Sequence, residues 1–273
     1  MQRLVDQAIE MYCKRDSKGA ARLLKETSVM EPSPTTFAQA KAKFRTTADE
    51  HSLSNRPQLY HKGMACKPLV LSPRHVRDAI EGMLDTKARG PSGWRSSHAK
   101  PLAQDWETLR ELTAWSNSWT SGTLGRDIAA RWRQVLCIPL NKAEPEEAPK
   151  IRPLLLGELL LKVPSVAAHN ILGRRAVQAL VSTGQYGVGM DNGAECLLAE
   201  LRSTMQAMKE PVLVRLDVEN AFGNGRRATA VEEALEMKEL RPLVPLLLSV
   251  WALSTIVHMR CGNTGSSSDW DPS

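Results

Sequence analysis

The sequence predicts a helix-rich α+β fold. Three observations lead there. Apolar residues recur at helical spacing after residue 72, from 102 to 118 and from 158 to 180. Two short apolar runs at 135–140 and 151–156 flank a polar, proline-bearing stretch, as the strands of a hairpin do. From 212 to 219 apolar residues alternate, with Val212, Val214, Leu216 and Val218 on one face and Leu213, Arg215, Asp217 and Glu219 on the other.

Residues 1–71 are poorly patterned, with short helical stretches expected at 3–14 and 37–50 around the breaker run Glu31-Pro32-Ser33-Pro34. The pattern sharpens at Ser72-Pro73, a hydroxyl cap followed by proline at the first helical position. Val76, Ile80, Met83 and Leu84 then give one apolar face, and the helix must stop by Gly90-Pro91-Ser92-Gly93. A second helix is expected over 102–118, burying Trp106, Leu109, Leu112 and Trp115. In the hairpin, Pro139 and Pro153 lack ladder donors and point to edge or irregular strands. A helix then runs past Pro164 to 180, the alternating strand follows, and helices are expected at 226–240 and 242–257. The last residues, 262–273, read as a flexible tail.

With 273 residues, 42% hydrophobic and 24% charged, the chain is not disordered throughout and suffices for one large domain or two modest ones. Thirty-six Lys and Arg against 30 Asp and Glu leave a net charge of +6, which suits a polyanion such as nucleic acid. Five widely spaced cysteines form no zinc pattern, and their odd number does not suit a disulfide framework. They read as reduced thiols of an intracellular protein, nuclear or cytoplasmic. The start, Met1-Gln2-Arg3-Leu4-Val5-Asp6, has no apolar signal core. The longest apolar run, 243–257, contains Pro245 and falls short of the roughly 20 residues that cross a bilayer, so no membrane partner is expected.

Phosphate-loop, zinc-protease and nucleophile-elbow signatures are absent. Gly187-Val188-Gly189 has no strand leading into it and does not read as a dinucleotide loop. Asp217 stands out, because a carboxylate near the end of an apolar strand is costly to desolvate unless a cation or donors meet it. Two readings stay open at this point. Asp217 caps the following turn, or its hard oxygens hold a divalent cation such as Mg²⁺.

Asp217-Val218-Glu219-Asn220-Ala221-Phe222 resembles the D-x-x-x-A-[FY] catalytic motif of reverse transcriptases. Four upstream segments resemble motifs of the LINE-type (non-LTR) retrotransposon polymerases, in matching order. Lys87-Ala88-Arg89-Gly90-Pro91-Ser92-Gly93 is similar to their K-x-x-G-P-D-G loop. Ile138-Pro139-Leu140-Asn141-Lys142 and Ile151-Arg152-Pro153-Leu154 are similar to their P-x-x-K and R-P-[IL] fingers motifs, and Gln185-Tyr186-Gly187 to their Q-x-G-F element. The resemblance covers about 72–253. It implies polymerase fingers with a β-hairpin, then the first strand of a palm sheet, in an incomplete right-hand fold. The implied division is an N-terminal extension at 1–71, fingers at 72–210, the start of a palm at 211–261 and the tail at 262–273.

The resemblance also implies roles. Asp217 and the backbone carbonyl of Val218 would hold Mg²⁺, and Phe222 would be the gate that rejects a ribose 2′-hydroxyl. Arg152 would contact the incoming deoxynucleoside triphosphate and stack on its base, and Lys142 would meet its outer phosphates. Outside that context the basic residues read as solvated surface and Phe222 as core. The partners implied are an RNA template, a DNA primer and dNTP.

Two departures bear on this. Ser92 stands where the family has Asp. The later Q-G-x-P-x-S and [FY]-x-D-D motifs are missing, and Asp269-Trp270-Asp271 reads as solvated. Two Mg²⁺ ions about 4 Å apart repel by roughly 16 kcal/mol at an effective dielectric near 20. A lone carboxylate does not offset that. The expectation is a fragment of an RNA-directed DNA polymerase that does not synthesise DNA by itself. The rival expectations are a non-catalytic, basic nucleic-acid-binding module and a relic without function.

Overall fold

The computed structural model describes residues 30–31, 33–43, 53–85, 88–141, 150–217, 225–252, 255–260 and 267–270. Its helices are α1 (Pro34–Ala42), α2 (Pro57–Met64), α3 (Pro73–Glu81), α4 (Ser96–Gln104), α5 (Trp106–Thr120) and α6 (Arg126–Trp132). Strands β1 (Val135–Asn141) and β2 (Ile151–Gly157) follow, then α7 (Leu159–Val181), α8 (Gly193–Ala207), α9 (Arg227–Glu236) and α10 (Val244–Trp251). Strands β3 (Val257–Arg260) and β4 (Ser267–Trp270) complete the order. This is a helix-rich α+β architecture.

Helix α3 begins as Ser72-Pro73 predicts. The Ser72 hydroxyl accepts from the His75 N–H at 3.4 Å, and His75 Nδ1 accepts from the Ser72 N–H at 3.1 Å. Val76, Ala79 and Ile80 are fully buried and meet Ala99 and Ala103 of α4, Leu109 of α5 and Val163 and Ala167 of α7. The small alanines on α4 and α7 let these helices approach closely around the larger Val, Ile and Leu. A second cluster joins Val231 and Leu235 of α9 to Val244 and Leu248 of α10, with Leu59 and Tyr60 of α2 beside it. Trp119 of α5, Ala129 of α6, Ala168 of α7 and Leu246 of α10 pack together in a further cluster that joins these helices.

The hairpin has the predicted place, and its register pairs Val135 with Gly157 through to Asn141 with Ile151. The sheet order is β2-β1-β3-β4. Pro153 therefore lies on an edge strand. Pro139 lies on β1, which has strands on both sides, but β3 pairs with β1 only at Val135 and Leu136. The missing N–H of Pro139 costs no ladder bond there, and its carbonyl accepts from the Met30 N–H at 2.9 Å.

Several expectations are corrected. The described part of the 212–219 strand joins no sheet, and Val212, Val214 and Leu216 are 85%, 70% and 86% exposed. Alternation supplies a face to bury but not a ladder, and a strand without neighbours has little to hold it in water. The 102–118 helix is two helices broken at Asp105, whose carboxylate accepts from the Thr108 N–H at 2.8 Å and so starts α5. That places Trp106 at the solvent-facing first position, 57% exposed, while Leu109 is buried. Helix α3 ends at Glu81, leaving Leu84 exposed. Helix α10 stops at Trp251, and Val257 is a strand residue because the β-branched Ile256-Val257 pair continues beside β1. Ser267–Trp270, inside the expected tail, pairs with β3. Of the N-terminal helices, 3–14 lies outside the described residues and only the first part of 37–50 is described, as part of α1. Among the described residues no helix is long and apolar enough to cross a membrane.

Candidate nucleotide and metal site

The hairpin and the glycine loop are built against each other. Gly90 is buried, and a Cβ there would sit 2.7 Å from the backbone oxygen of Gly157 and 3.0 Å from the nitrogen of Glu158. Only a residue without a side chain allows that approach. Gly93, at φ +79°, turns the chain away in the left-handed region. Between them, the Ser92 N–H donates to Glu158 Oε1 at 2.7 Å, and the Ser92 hydroxyl donates to Glu158 Oε2. Glu158 is 4% exposed, so these donors answer a carboxylate that burial would otherwise penalise. Two segments widely separated in the chain are thereby fastened where β2 passes into α7.

Arg152 lies near the other end of β2, opposite Leu140 of β1, and its side chain is exposed. At about 3.3 Å per residue, the strand carries it roughly 17 Å from Gly157. An exposed guanidinium on an edge strand is free to meet a phosphate or a base. Lys142 follows β1 directly in sequence but lies outside the described residues, as do Lys87, Val218 and Phe222.

Asp217 is exposed at the end of the described 211–217 stretch, which joins no sheet among the described residues, and the turn it would cap lies outside the described residues. Its carboxylate has the donor chemistry Mg²⁺ takes. Among the described residues, however, no three of His, Cys, Asp and Glu gather as ion ligands. One exposed carboxylate does not make a two-ion site.

The segment resembling Q-x-G-F is folded by its own side chains. Gln185 Oε1 accepts from the Gly187 N–H at 2.6 Å, and Gly189 takes φ +65°. Tyr186 donates its hydroxyl to Glu200 of α8, and its carbonyl lies so near Gly193 that no side chain fits there. The structure therefore gives defined local geometry to the described residues of four of the five resembling segments: the loop, the two strands of the hairpin and the Gln185 turn. It describes the Asp217 motif only at its first residue.

Glu158 escapes a reading of sequence alone. An acidic residue ahead of a helix looks like an ordinary first-turn charge. Its position directly after an apolar strand and Gly157 is the one signal of a different role. Compared with known families and with curated proteins, the chain matches no family model and no curated sequence.

Proposed function

We propose that this chain is part of an RNA-directed DNA polymerase of the LINE type, holding its fingers and the opening of its palm. The observation that carries the reading is the seating of the Gly90–Gly93 loop on Gly157–Glu158, at the foot of the strand that bears Arg152. The two fingers segments, 138–141 and 151–154, pair with each other in the β1–β2 hairpin, and the glycine loop seats just past its end. Coincidental matches scattered through an unrelated fold have no reason to touch. On this reading Arg152 and Lys142 receive the triphosphate, Phe222 lies under the sugar, and Asp217 with the Val218 carbonyl serves Mg²⁺ in a complete centre.

The net charge of +6 and the exposure of Asp217 favour a second reading, in which the chain binds nucleic acid without extending it. One series of measurements separates the two. The chain is assayed for primer–template binding across a salt range, then joined to a palm segment bearing [FY]-x-D-D and assayed for Mg²⁺-dependent dNTP incorporation. Extension that Asp217→Ala abolishes, with ribonucleotides admitted by Phe222→Ala, supports the polymerase reading. Binding that weakens steeply with salt, without extension in either form, supports the module. Extension unchanged by Asp217→Ala refutes the assignment of that residue.

A further inference from the structure

A groove of about 370 Å³ lies between the 68–70 segment and the C-terminal half of α5. Its first wall is Pro68, Leu69 and Val70, and that segment is fastened at both ends. The Leu69 N–H donates to the Pro242 carbonyl at 3.2 Å. Asn117 of α5 holds Leu71 with both sides of its amide, Oδ1 accepting from the Leu71 N–H at 2.8 Å and Nδ2 donating to the Leu71 carbonyl at 2.9 Å. The facing wall is Ala114 and the hydroxyl residues Ser118, Thr120, Ser121 and Thr123.

Each hydroxyl on that wall has spent its proton. Ser118 Oγ donates to the Ala114 carbonyl at 3.0 Å, and Thr120 Oγ1 and Ser121 Oγ donate to the Asn117 carbonyl at 3.2 and 2.6 Å. Ser121 Oγ and Thr123 Oγ1 are 2.9 Å apart, and a serine has one proton, so Thr123 is the donor between them. What these oxygens still offer is lone pairs. The wall also ends at the C-terminus of α5, the negative end of the helix dipole, and no basic residue stands in that last turn. None of the lining residues is charged, and Lys67, next in the chain to Pro68, is exposed outside the groove. Acceptors at a negative helix end, facing the carbons of Pro68 and Val70, are complementary to a cation that carries N–H donors on a short apolar stem. We propose that the groove binds a small aliphatic amine in its ammonium form. The ammonium's three N–H groups meet the hydroxyl oxygens, and the stem lies along Pro68 and Val70. The size of the groove selects a free amine over a protein partner. It is in the range of small-ligand sites, whereas a stable protein contact covers about 800 Å² on each side.

The inference rests on the groove alone, independently of the polymerase reading. The full chain, labelled with nitrogen-15, is titrated at neutral pH with butylammonium, with 1-butanol and with butyltrimethylammonium. The alcohol keeps the stem without the charge, and the trimethylated cation keeps the charge without the N–H donors. Butylammonium should give saturable amide shifts at 68–71 and 114–123, and each of the other two should bind about ten-fold more weakly. Val70 is 70% exposed, so its substitution leaves the core as it is. Val70→Glu should tighten butylammonium about three-fold or more, and Val70→Lys should weaken it by as much, since one adds an attracting charge and the other a competing ammonium. An alcohol bound as tightly as the ammonium overturns the proposal. So do shifts centred away from the groove, or two Val70 variants that move the affinity the same way or not at all. Nα-acetyl-lysine methylamide bound ten-fold more tightly than butylammonium would make the occupant a lysine of another protein, and the assignment to a free amine would fall.

Discussion

The indole N–H of Trp115 donates to the carbonyl of Leu160 at 3.4 Å. That oxygen lies four residues before Pro164, which has no N–H to return to it within α7. One helix thus supplies the donor that a proline withholds from another, and the long α7 continues to Val181. Trp115 also stacks edge to face on Trp119 and Trp132, at centroid distances of 6.1 and 5.3 Å, which fixes the indole's direction. Trp115→Phe should cost about 1 kcal/mol through the lost hydrogen bond, beyond any packing change. In the Pro164→Ala background the same change should cost less, since alanine returns an N–H to Leu160. Urea denaturation of the four proteins of this cycle measures the coupling, and additive costs would remove the role assigned to Trp115.

Ser92 occupies a position where the resembling polymerases carry aspartate, and here its partner is a buried carboxylate. Ser92→Asp would set two carboxylates together with no hydroxyl donor between them, so the family's residue should be worse in this chain than the one present. Ser92→Ala should cost about 1.5–3 kcal/mol, the usual range for a hydrogen bond to a charged group, and Ser92→Asp more. Adding Glu158→Gln should recover much of the aspartate variant's loss, because the amide donates where the carboxylate only accepts. Midpoints of chemical denaturation test this. An aspartate variant as stable as the starting protein would mean that Glu158 does not hold the loop.

Parts of this architecture were legible in the sequence where a local signal and a packing demand agree. Ser72-Pro73 announces both a cap and the apolar face behind it, and the hairpin's two apolar runs carry their own turn. Helix α8 was not legible, since it begins at Gly193 after Asn192 in the left-handed region, with no side-chain cap, and leaves Leu197 and Leu198 exposed. Strands β3 and β4 are short, and β3 depends on a parallel partner more than a hundred residues earlier, which no local pattern encodes. The alternation at 212–217 shows the opposite failure, a strong local signal with no neighbouring strand among the described residues. Within the candidate site, Gly90 was legible as a turn glycine, but its approach to Gly157 and the part of Glu158 arise only from tertiary packing.

Acid should find two specific carboxylates. Asp105 is held below the ordinary carboxylate range by the backbone N–H of Thr108, then by the Thr108 hydroxyl. Asp85 is lowered first by the Ser96 hydroxyl, then by Lys100. A depressed folded-state pKa contributes stability that is whole above the unfolded value, near 3.9, and is lost as pH falls through the lower folded value. In that window the unfolded chain binds more protons, so stability should decline with acid. Asp105→Asn keeps a capping oxygen without the titration, and its stability should fall less steeply below about pH 4 than that of the unsubstituted chain. Urea midpoints measured from pH 5 downward give both slopes, and equal slopes would show that Asp105 carries no such linkage.

Cys137 should be the least reactive of the three cysteines the structure describes. It is 3% exposed on β1, among Ala40, Ile151, Val257 and Met259, whereas Cys66 and Cys196 are half-buried. Burial pushes its thiol up to about 11, so at pH 8 only about one molecule in a thousand carries the reactive thiolate. The sign of the linkage follows. The folded state keeps this proton longer than the unfolded state, so stability is whole below about pH 8.5 and is lost as pH climbs toward the folded value. Iodoacetamide at pH 8, followed by peptide mapping, should label Cys66 and Cys196 well before Cys137. Sub-denaturing urea should accelerate Cys137 selectively, because its modification waits on opening of the sheet's inner face. Labelling of Cys137 as fast as Cys196 in native buffer would place that thiol outside the cluster that α1 makes with the sheet.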